Sequence, residues 1–326
     1  MIAALCEIHG PPEKLVLREL PDAVPGPGEA LVAPSRVALN FFDTLIIENK
    51  YQLKPELPFS PGGEFCGTVV ALGAGVENVR TGQRVAGYCS YGAARSRLVL
   101  PASSLSIVPD DLDDDRAAGL FITYGTTLHG LRQRADLQRG ETLAVLGASG
   151  GVGLAAVEVG AAMGAHVIAC ASSEEKLRFA VKHGAHEGLD YSVEDLKEGL
   201  KKRTAGRGLD CVYDPIGGAH SEAALRAIAW KGRFLVIGFA SGEIPKIPLN
   251  LTLLKGCAIV GVFWGEFVKR EPEVHRANMA QIFDWTARKI LSAHVHAVYP
   301  LAEIAEALRV IKDRRAQGKV LLSIPQ

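Results

Sequence analysis

The residues with the clearest chemical potential form one short string in the middle of the chain. An apolar run, Leu143-Ala144-Val145-Leu146, leads into Gly147-Ala148-Ser149-Gly150-Gly151-Val152-Gly153, and a helix-forming stretch follows. This is the pattern of a turn that cradles a dinucleotide. Gly147 permits the tight turn, Gly150 lets the backbone approach a pyrophosphate, and Gly153 lets helix pack on strand. The helix start then offers free N–H groups and a partial positive charge to the phosphates. A glycine triplet alone is weak evidence, so the reading rests on its place between a strand and a helix.

The next strand ends Ala169-Cys170-Ala171-Ser172-Ser173, with no acidic residue at its tip. Enzymes that use NAD place Asp or Glu there for the ribose 2′-hydroxyl, whereas a 2′-phosphate needs donors and positive charge. Ser172, Ser173 and Lys176 supply both, which points to NADPH. The plain alternative is a helix start in which Ser172 and Glu175 form a capping box and Lys176 is a solvated charge. The two readings are compatible.

Other chemistries lack their residues. The chain has nine histidines and six cysteines, with no C-x-x-C, no H-E-x-x-H and no Cys/His cluster at zinc spacing, so no metal site is expected. His294 and His296 would share one strand face, but no third ligand stands nearby. No G-x-S-x-G elbow is present, and Cys66, flanked by glycine in a strand, reads as a small buried residue. Lys plus Arg equals 36 and Asp plus Glu equals 36, a balance that argues against a nucleic-acid partner. No basic and apolar leader opens the chain and no uninterrupted apolar span of ~20 residues exists, so neither a signal peptide nor a membrane helix is expected. Scattered free thiols fit the cytoplasm.

The elements that must position the glycine string follow from punctuation and periodicity. At 326 residues the chain is about twice the ~150 of a single domain. Its first third reads as short strands (Ala30–Ala33, Gly67–Leu72, Arg84–Tyr88) separated by Gly and Pro. The middle alternates strands (Thr142–Leu146, His166–Cys170, Asp210–Tyr213, Arg233–Ile237, Ala258–Val262) with helices (Val152–Met163, Glu174–His183, Glu194–Arg203, Ser221–Trp230). That alternation predicts an α/β domain, a parallel sheet with crossover helices. A final amphipathic helix, Leu301–Asp313, and a strand over Lys319–Ile324 close the chain.

Several strings then share one resemblance: Asn40-Phe41-Phe42-Asp43, Pro61-Gly62-Gly63-Glu64, Gly82-Gln83-Arg84-Val85, Tyr124-Gly125-Thr126-Thr127, Ile237-Gly238-Phe239-Ala240 and Gly318-Lys319-Val320. In this order, over essentially the whole chain, the sequence resembles the zinc-independent quinone oxidoreductase (zeta-crystallin-like) branch of the medium-chain dehydrogenases/reductases. The resemblance implies a GroES-like β-barrel domain built from residues 1–122 and 264–326, and a Rossmann doubly wound parallel sheet over residues 123–263. Zinc-dependent alcohol dehydrogenases of the superfamily carry Cys where this chain has Asn40 and His where it has Gly63, and their structural-zinc cysteines are missing. Without a Lewis acid, plain alcohol oxidation loses its electrostatic support. The resemblance therefore implies NADPH-dependent hydride transfer to quinones or α,β-unsaturated carbonyls.

By the same resemblance, Ser149, Gly150, Gly151 and Val152 hold the pyrophosphate, and Ser172, Lys176 and Tyr191 the 2′-phosphate side. Thr127, Ile237, Gly238, Phe239, Ala240, Phe263 and Trp264 surround the nicotinamide half, and Lys319 closes over the cofactor. Phe263 and Trp264 read equally well as strand-end core. Asn40 and Tyr51 face the substrate; Tyr51, in its Pro-rich loop, is otherwise a packed aromatic. A 2-enoyl-thioester or alkenal reductase shares the cofactor, the hydride chemistry and the absence of zinc, and a nucleotide-binding structural or interaction protein is the alternative outside enzymes. The family pattern, with the β-prone run Ala258–Val262 at a sheet edge, implies a homodimer.

Overall fold

Three stretches differ in how their apolar residues repeat, and the computed structural model, which describes residues 1–326, shows each as a different set of elements. The first forms strands β1 (Ile2–Leu5), β2 (Val16–Glu19), β3 (Glu29–Leu39), β4 (Glu64–Leu72), β5 (Arg84–Tyr88), β6 (Leu98–Pro101) and β7 (Leu105–Ile107), with helices α1 (Phe41–Ile46) and α2 (Asp114–Ala118). The second, after helix α3 (Ile122–Leu128), alternates β8 (Thr142–Leu146), α4 (Gly151–Ala162), β9 (His166–Ala171), α5 (Glu174–Lys182), β10 (Glu187–Asp190), α6 (Leu196–Arg203), β11 (Leu209–Asp214), α7 (Ala219–Arg226), β12 (Ile228–Val236), α8 (Asn250–Lys255) and β13 (Ala258–Gly261). Helices α9 (Trp264–Arg270) and α10 (Pro272–Ala287) follow, and β14 (Val295–Pro300), α11 (Ile304–Lys312) and β15 (Lys319–Ser323) complete the chain.

By contact these elements fall into two units, Met1–Ile122 with Ala293–Gln326, and Thr123–Ser292. In the first, the sheet order is β14-β15-β3-β4-β5-β7, with β6 paired to β3. Apart from the parallel pair β14–β15, neighbours run antiparallel. Strand β15, from the far end of the chain, is therefore an interior strand. Strands β3 and β4 cross so closely that a Cβ on Gly67 would stand 2.3 Å from the Ala33 carbonyl oxygen, so glycine is required there. The core of this unit gathers Val32, Val37, Leu39, Phe65, Val85, Val320 and Leu322 from the strands with Ile304, Ala307 and Leu308 from the inner stripe of α11.

The second unit is a six-stranded sheet in the order β10-β9-β8-β11-β12-β13, every pair parallel. Counted from β8, the order is 3-2-1-4-5-6, the doubly wound arrangement whose direction of winding reverses between β8 and β11. Helix α4 is apolar on nearly every side and accordingly buried, and its one charge, Glu158, is buried with it. That carboxylate is satisfied by the Tyr124 hydroxyl at 2.8 Å and by the backbone N–H and hydroxyl of Ser292.

Two boundaries differ from the sequence reading. The expected return to the first unit at residue 264 comes only after Ser292, because α9 and α10 are fastened to the second unit: Gln133 and Asn278 exchange two amide hydrogen bonds at 3.1 Å, and the Phe267 ring stacks on His129 at 3.8 Å. The helix expected over Ser221–Trp230 stops at Arg226, and Ile228-Ala229-Trp230 opens β12. Ile228 pairs with Leu209, and the strand resumes its pairing at Arg233 after an irregularity around Lys231, which has φ 62°. No helix is long and apolar enough to cross a membrane.

Candidate active site

The glycine turn sits at the carboxyl end of β8, at the reversal point, where open parallel sheets bind ligands. Gly147 has φ 62°, a left-handed conformation that favours glycine. A Cβ on Gly153 would lie 2.1 Å from the Gly147 carbonyl oxygen, so only glycine allows helix and turn to close on each other. Gly150 has nothing nearer its missing Cβ than 3.6 Å, so packing within the chain does not require glycine there. No side chain caps the start of α4, which leaves its first turn to an anion; the residues fit the diphosphate of a dinucleotide. Ser149 is buried beside this turn.

At the tip of β9, Ser172 and Lys176 come together, Nζ to Oγ at 3.3 Å. Ser173 is the N-cap of α5, accepting the Lys176 backbone N–H. The cap is thus Ser173 and not the expected Ser172. Tyr191 begins the segment after β10 and its ring lies 4.5 Å from that of His220.

The nicotinamide-side residues divide. Ile237, Gly238, Phe239 and Ala240 form the half-buried loop after β12, tied to the end of β11 by Ile237 N–H to Asp214 O and Ala240 N–H to Pro215 O. Asp214, a residue the sequence reading missed, organises that end: its buried carboxylate accepts the N–H groups of Ile216 and Gly217 and the Ser221 hydroxyl. Thr127 is fully buried with its hydroxyl engaged by Tyr213 at 2.9 Å, so it braces the sheet and does not face a ligand. Trp264 is core, its indole against Gly125, where a Cβ would stand 2.9 Å from Nε1. Phe263 is 62% exposed, so the core reading fails for it.

In the first unit, Asn40 directly follows β3 as the N-cap residue of α1, Glu64 opens β4, and Lys319 opens β15. The Lys319 ammonium is 2.6 Å from Asn40 Oδ1, 2.8 Å from Glu64 Oε1 and 3.3 Å from the Leu39 carbonyl oxygen. Asn40 Nδ2 donates to Glu64 Oε1 at 2.9 Å, and Glu64 Oε2 accepts the Ile122 N–H. Beside them, Asp43 accepts the backbone N–H groups of Asn40 and Gly62. Burial pushes the Asp43 carboxyl up to about 7, against the pull of those two hydrogen bonds and of the Lys319 charge. The expected role of Lys319 over a cofactor is corrected here: the side chain is buried and all three N–H groups are engaged inside its own unit.

Sequence reasoning did not single out Glu64 or Asp43. A carboxylate at the head of an otherwise apolar strand, Glu64-Phe65-Cys66, was the available signal, since such a charge needs a buried partner. Tyr51 is half-buried, its ring 5.5 Å from Phe42, and burial with the neighbouring Asp43 charge raises its phenol above the ordinary value. It stays protonated and able to donate.

A metal does not fit this unit. A Cβ on Gly63 would meet the Phe42 ring at 2.8 Å and the Ser90 carbonyl oxygen at 3.0 Å, leaving no room for a ligand side chain at that position. No group of three or more His, Cys, Asp or Glu side chains could hold a metal ion.

A glycine turn at the reversal point of a 3-2-1-4-5-6 parallel sheet, on one chain with an antiparallel unit, is the build of the medium-chain dehydrogenases/reductases. Residues 26–110 match the alcohol dehydrogenase GroES-like domain, and residues 151–282 the family described as zinc-binding dehydrogenase. The chain is 38% identical over 304 residues to the quinone oxidoreductase-like protein 2 homolog of Nematostella vectensis, covering 92% of this chain and 83% of that one. It superposes on a mycobacterial protein complexed with NADPH with a TM-score of 0.92 at 30% identity, covering 99% and 100% of the two chains. The Escherichia coli quinone oxidoreductase complexed with NADPH gives a TM-score of 0.92 at 28% identity, with the same coverage. The chain belongs to the zinc-independent, quinone oxidoreductase-like branch of this superfamily, and it is an oxidoreductase.

Proposed function

We propose that the chain is an NADPH-dependent reductase that transfers hydride to quinones or activated α,β-unsaturated carbonyls without metal. The observation that carries the substrate class is the buried Asn40–Lys319–Glu64 cluster, whose charges neutralise each other and whose neighbour Gly63 leaves no place for a ligand to zinc. A substrate without a Lewis acid must already be electron-poor. NADPH is supported by the uncapped start of α4, by Ser172 and Lys176 at the tip of β9, and by the two related structures that hold it.

When bound, NADPH supplies the hydride. The α4 N-terminus with Ser149, Gly150, Gly151 and Val152 would hold its diphosphate, and Ser172, Lys176 and Tyr191 its 2′-phosphate side. The loop Ile237–Ala240 and the exposed Phe263 would flank the nicotinamide. Tyr51, protonated, and Asn40, through an N–H of its amide, would support the negative charge that develops on the substrate oxygen. We further propose a homodimer paired along β13, an exposed outer strand, and a cytoplasmic setting, which suits six free cysteines.

A panel of quinones, enones, enoyl-CoA and acrylyl-CoA, followed by NADPH oxidation, tests the reading. Turnover is expected with quinones or enones. Activity on the thioesters alone would move the substrate class, and no activity on any member would sink the reading.

A further inference from the structure

An asparagine amide is nearly symmetric in shape, and rotating it by half a turn exchanges its acceptor and its donors at no steric cost. Hydrogen-bond partners alone decide which face it presents. At Asn40 those partners are opposite charges. Oδ1 meets the Lys319 ammonium, which can only donate, and Nδ2 meets Glu64, which as a carboxylate can only accept. The reversed amide would set NH2 against ammonium and carbonyl against carboxylate, inside a cluster where Lys319 is 4% and Glu64 0% exposed.

Neither charge can swing away to relieve such a clash. Lys319 is also held by Leu39, and Glu64 by the Ile122 N–H. The Asn40 backbone is pinned by Asp43 at 2.7 Å. What remains is the second amide hydrogen, whose nearest partner, the Ala38 carbonyl oxygen, lies at 3.5 Å, the outer limit of a hydrogen bond.

We infer that Lys319 and Glu64 are positioning residues that fix the sense of the Asn40 amide, so that Asn40 offers the substrate oxygen an N–H and never its own carbonyl. The ion pair is neutral overall, so it orients the amide without adding net charge beside a neutral substrate. This rests on the reading of Asn40 as a substrate-side donor.

The test is steady-state kinetics on an enone, with NADPH affinity measured separately by fluorescence titration, for Lys319→Met, Asn40→Ala and their double variant. Lys319→Met is expected to lower kcat by up to about 10²-fold, the scale of a misplaced group, with NADPH Kd held within about twofold. The Asn40→Ala/Lys319→Met variant should be no slower than Asn40→Ala, because Lys319 acts through Asn40. An NADPH Kd weakened about tenfold by Lys319→Met, or losses that multiply in the double variant, would overturn the positioning role and leave Asn40 as donor intact. Asn40→Ala with wild-type kcat would instead remove the donor reading and this inference with it. Lys319→Met leaves Glu64 buried without its cation and so can fail to fold. Glu64→Gln/Lys319→Met removes both charges together. Folded, it must show the same loss in kcat, and wild-type kcat there overturns the inference.

Discussion

Asn40 Oδ1 and Lys319 Nζ lie 2.6 Å apart although 279 residues separate them in sequence. The register of two strands creates this contact. Leu39 pairs with Val320 in the antiparallel β3–β15 ladder, which brings the next residue of one strand beside the preceding residue of the other. Side chains alternate between faces along a strand, so a slip of one residue would send Lys319 to the opposite face and strand Glu64 without its cation.

The glycines of the nucleotide turn should separate into two kinds. Gly153→Ala drives a Cβ to 2.1 Å from the Gly147 oxygen and should cost folding stability, seen as a lowered Tm or loss of soluble protein. Gly150→Ala has space in the folded chain and should keep its Tm while raising KM for NADPH. Equal stability losses in both variants would contradict the assignment of Gly150 to the ligand.

Wild-type enzyme should prefer NADPH over NADH, with Lys176 carrying part of the preference. A charge-assisted hydrogen bond contributes ~1.5–3 kcal/mol, so Lys176→Ala should erode the kcat/KM ratio by roughly 10–100-fold. Equal kcat/KM for both cofactors in the wild type would rule this out.

Tyr51→Phe should slow enone reduction more than quinone reduction, because a quinol gains aromaticity and needs less help with its developing charge. Loss of one such donor typically costs ~10²–10³ in kcat where charge develops fully, and NADPH affinity should hold. Unchanged enone kcat would leave Tyr51 as the packing partner of Phe42 and no more.

Asp43 gives the first unit an unusual pH dependence. Its folded value, about 7, lies above its ordinary 3.8, so the native state binds the proton more tightly than the unfolded chain does. The stability this contributes is fully present below about 4 and is lost as pH rises through about 7. Urea melts across that window should show the wild type losing stability relative to Asp43→Asn as pH rises. The variant itself should be weaker throughout, since both Asp43 oxygens accept backbone N–H groups and an amide NH2 cannot. A difference that grows in the wild type's favour with rising pH would reverse the sign.

For the proposed dimer, light scattering should give twice the 34.7 kDa chain mass, and Ile259→Lys on the exposed strand β13 should shift the protein toward that single-chain mass. A wild type at 34.7 kDa would refute pairing along this edge.

Most of the second unit was readable from local pattern, from its apolar runs and the glycines of the turn; the short strand β10, the helix α8 and the cap at Ser173, expected at Ser172, were not. The parallel order follows from those same local units. The Asn40–Glu64–Lys319 cluster was not readable in that way. Each member looks ordinary in its own segment, and only pairing between β3, β4 and β15 makes them neighbours. The resemblance supplied the names Asn40 and Lys319 but placed Lys319 at the cofactor, where burial and three engaged N–H groups exclude it. Thr127 failed for a similar reason, since its spacing gave no sign that Tyr213 would claim its hydroxyl. The return point at 264 was missed because α9 and α10 are held by side-chain contacts that no periodicity encodes.

Strand β15 lies between β14 and β3, yet it follows every other strand of its sheet in sequence. A ribosome delivers β15 some 280 residues after its neighbour β3, so the long loop between them must close after the whole second unit has emerged. Residues 123–292 hold all six strands of their own sheet and can finish while synthesis continues. Until Lys319 arrives, the nascent first unit carries Glu64 without a counter-charge and β3 with an open edge. This interval is when a chaperone would find the most to bind. A chain cut short before Lys319 would hold one finished half and one half unable to close.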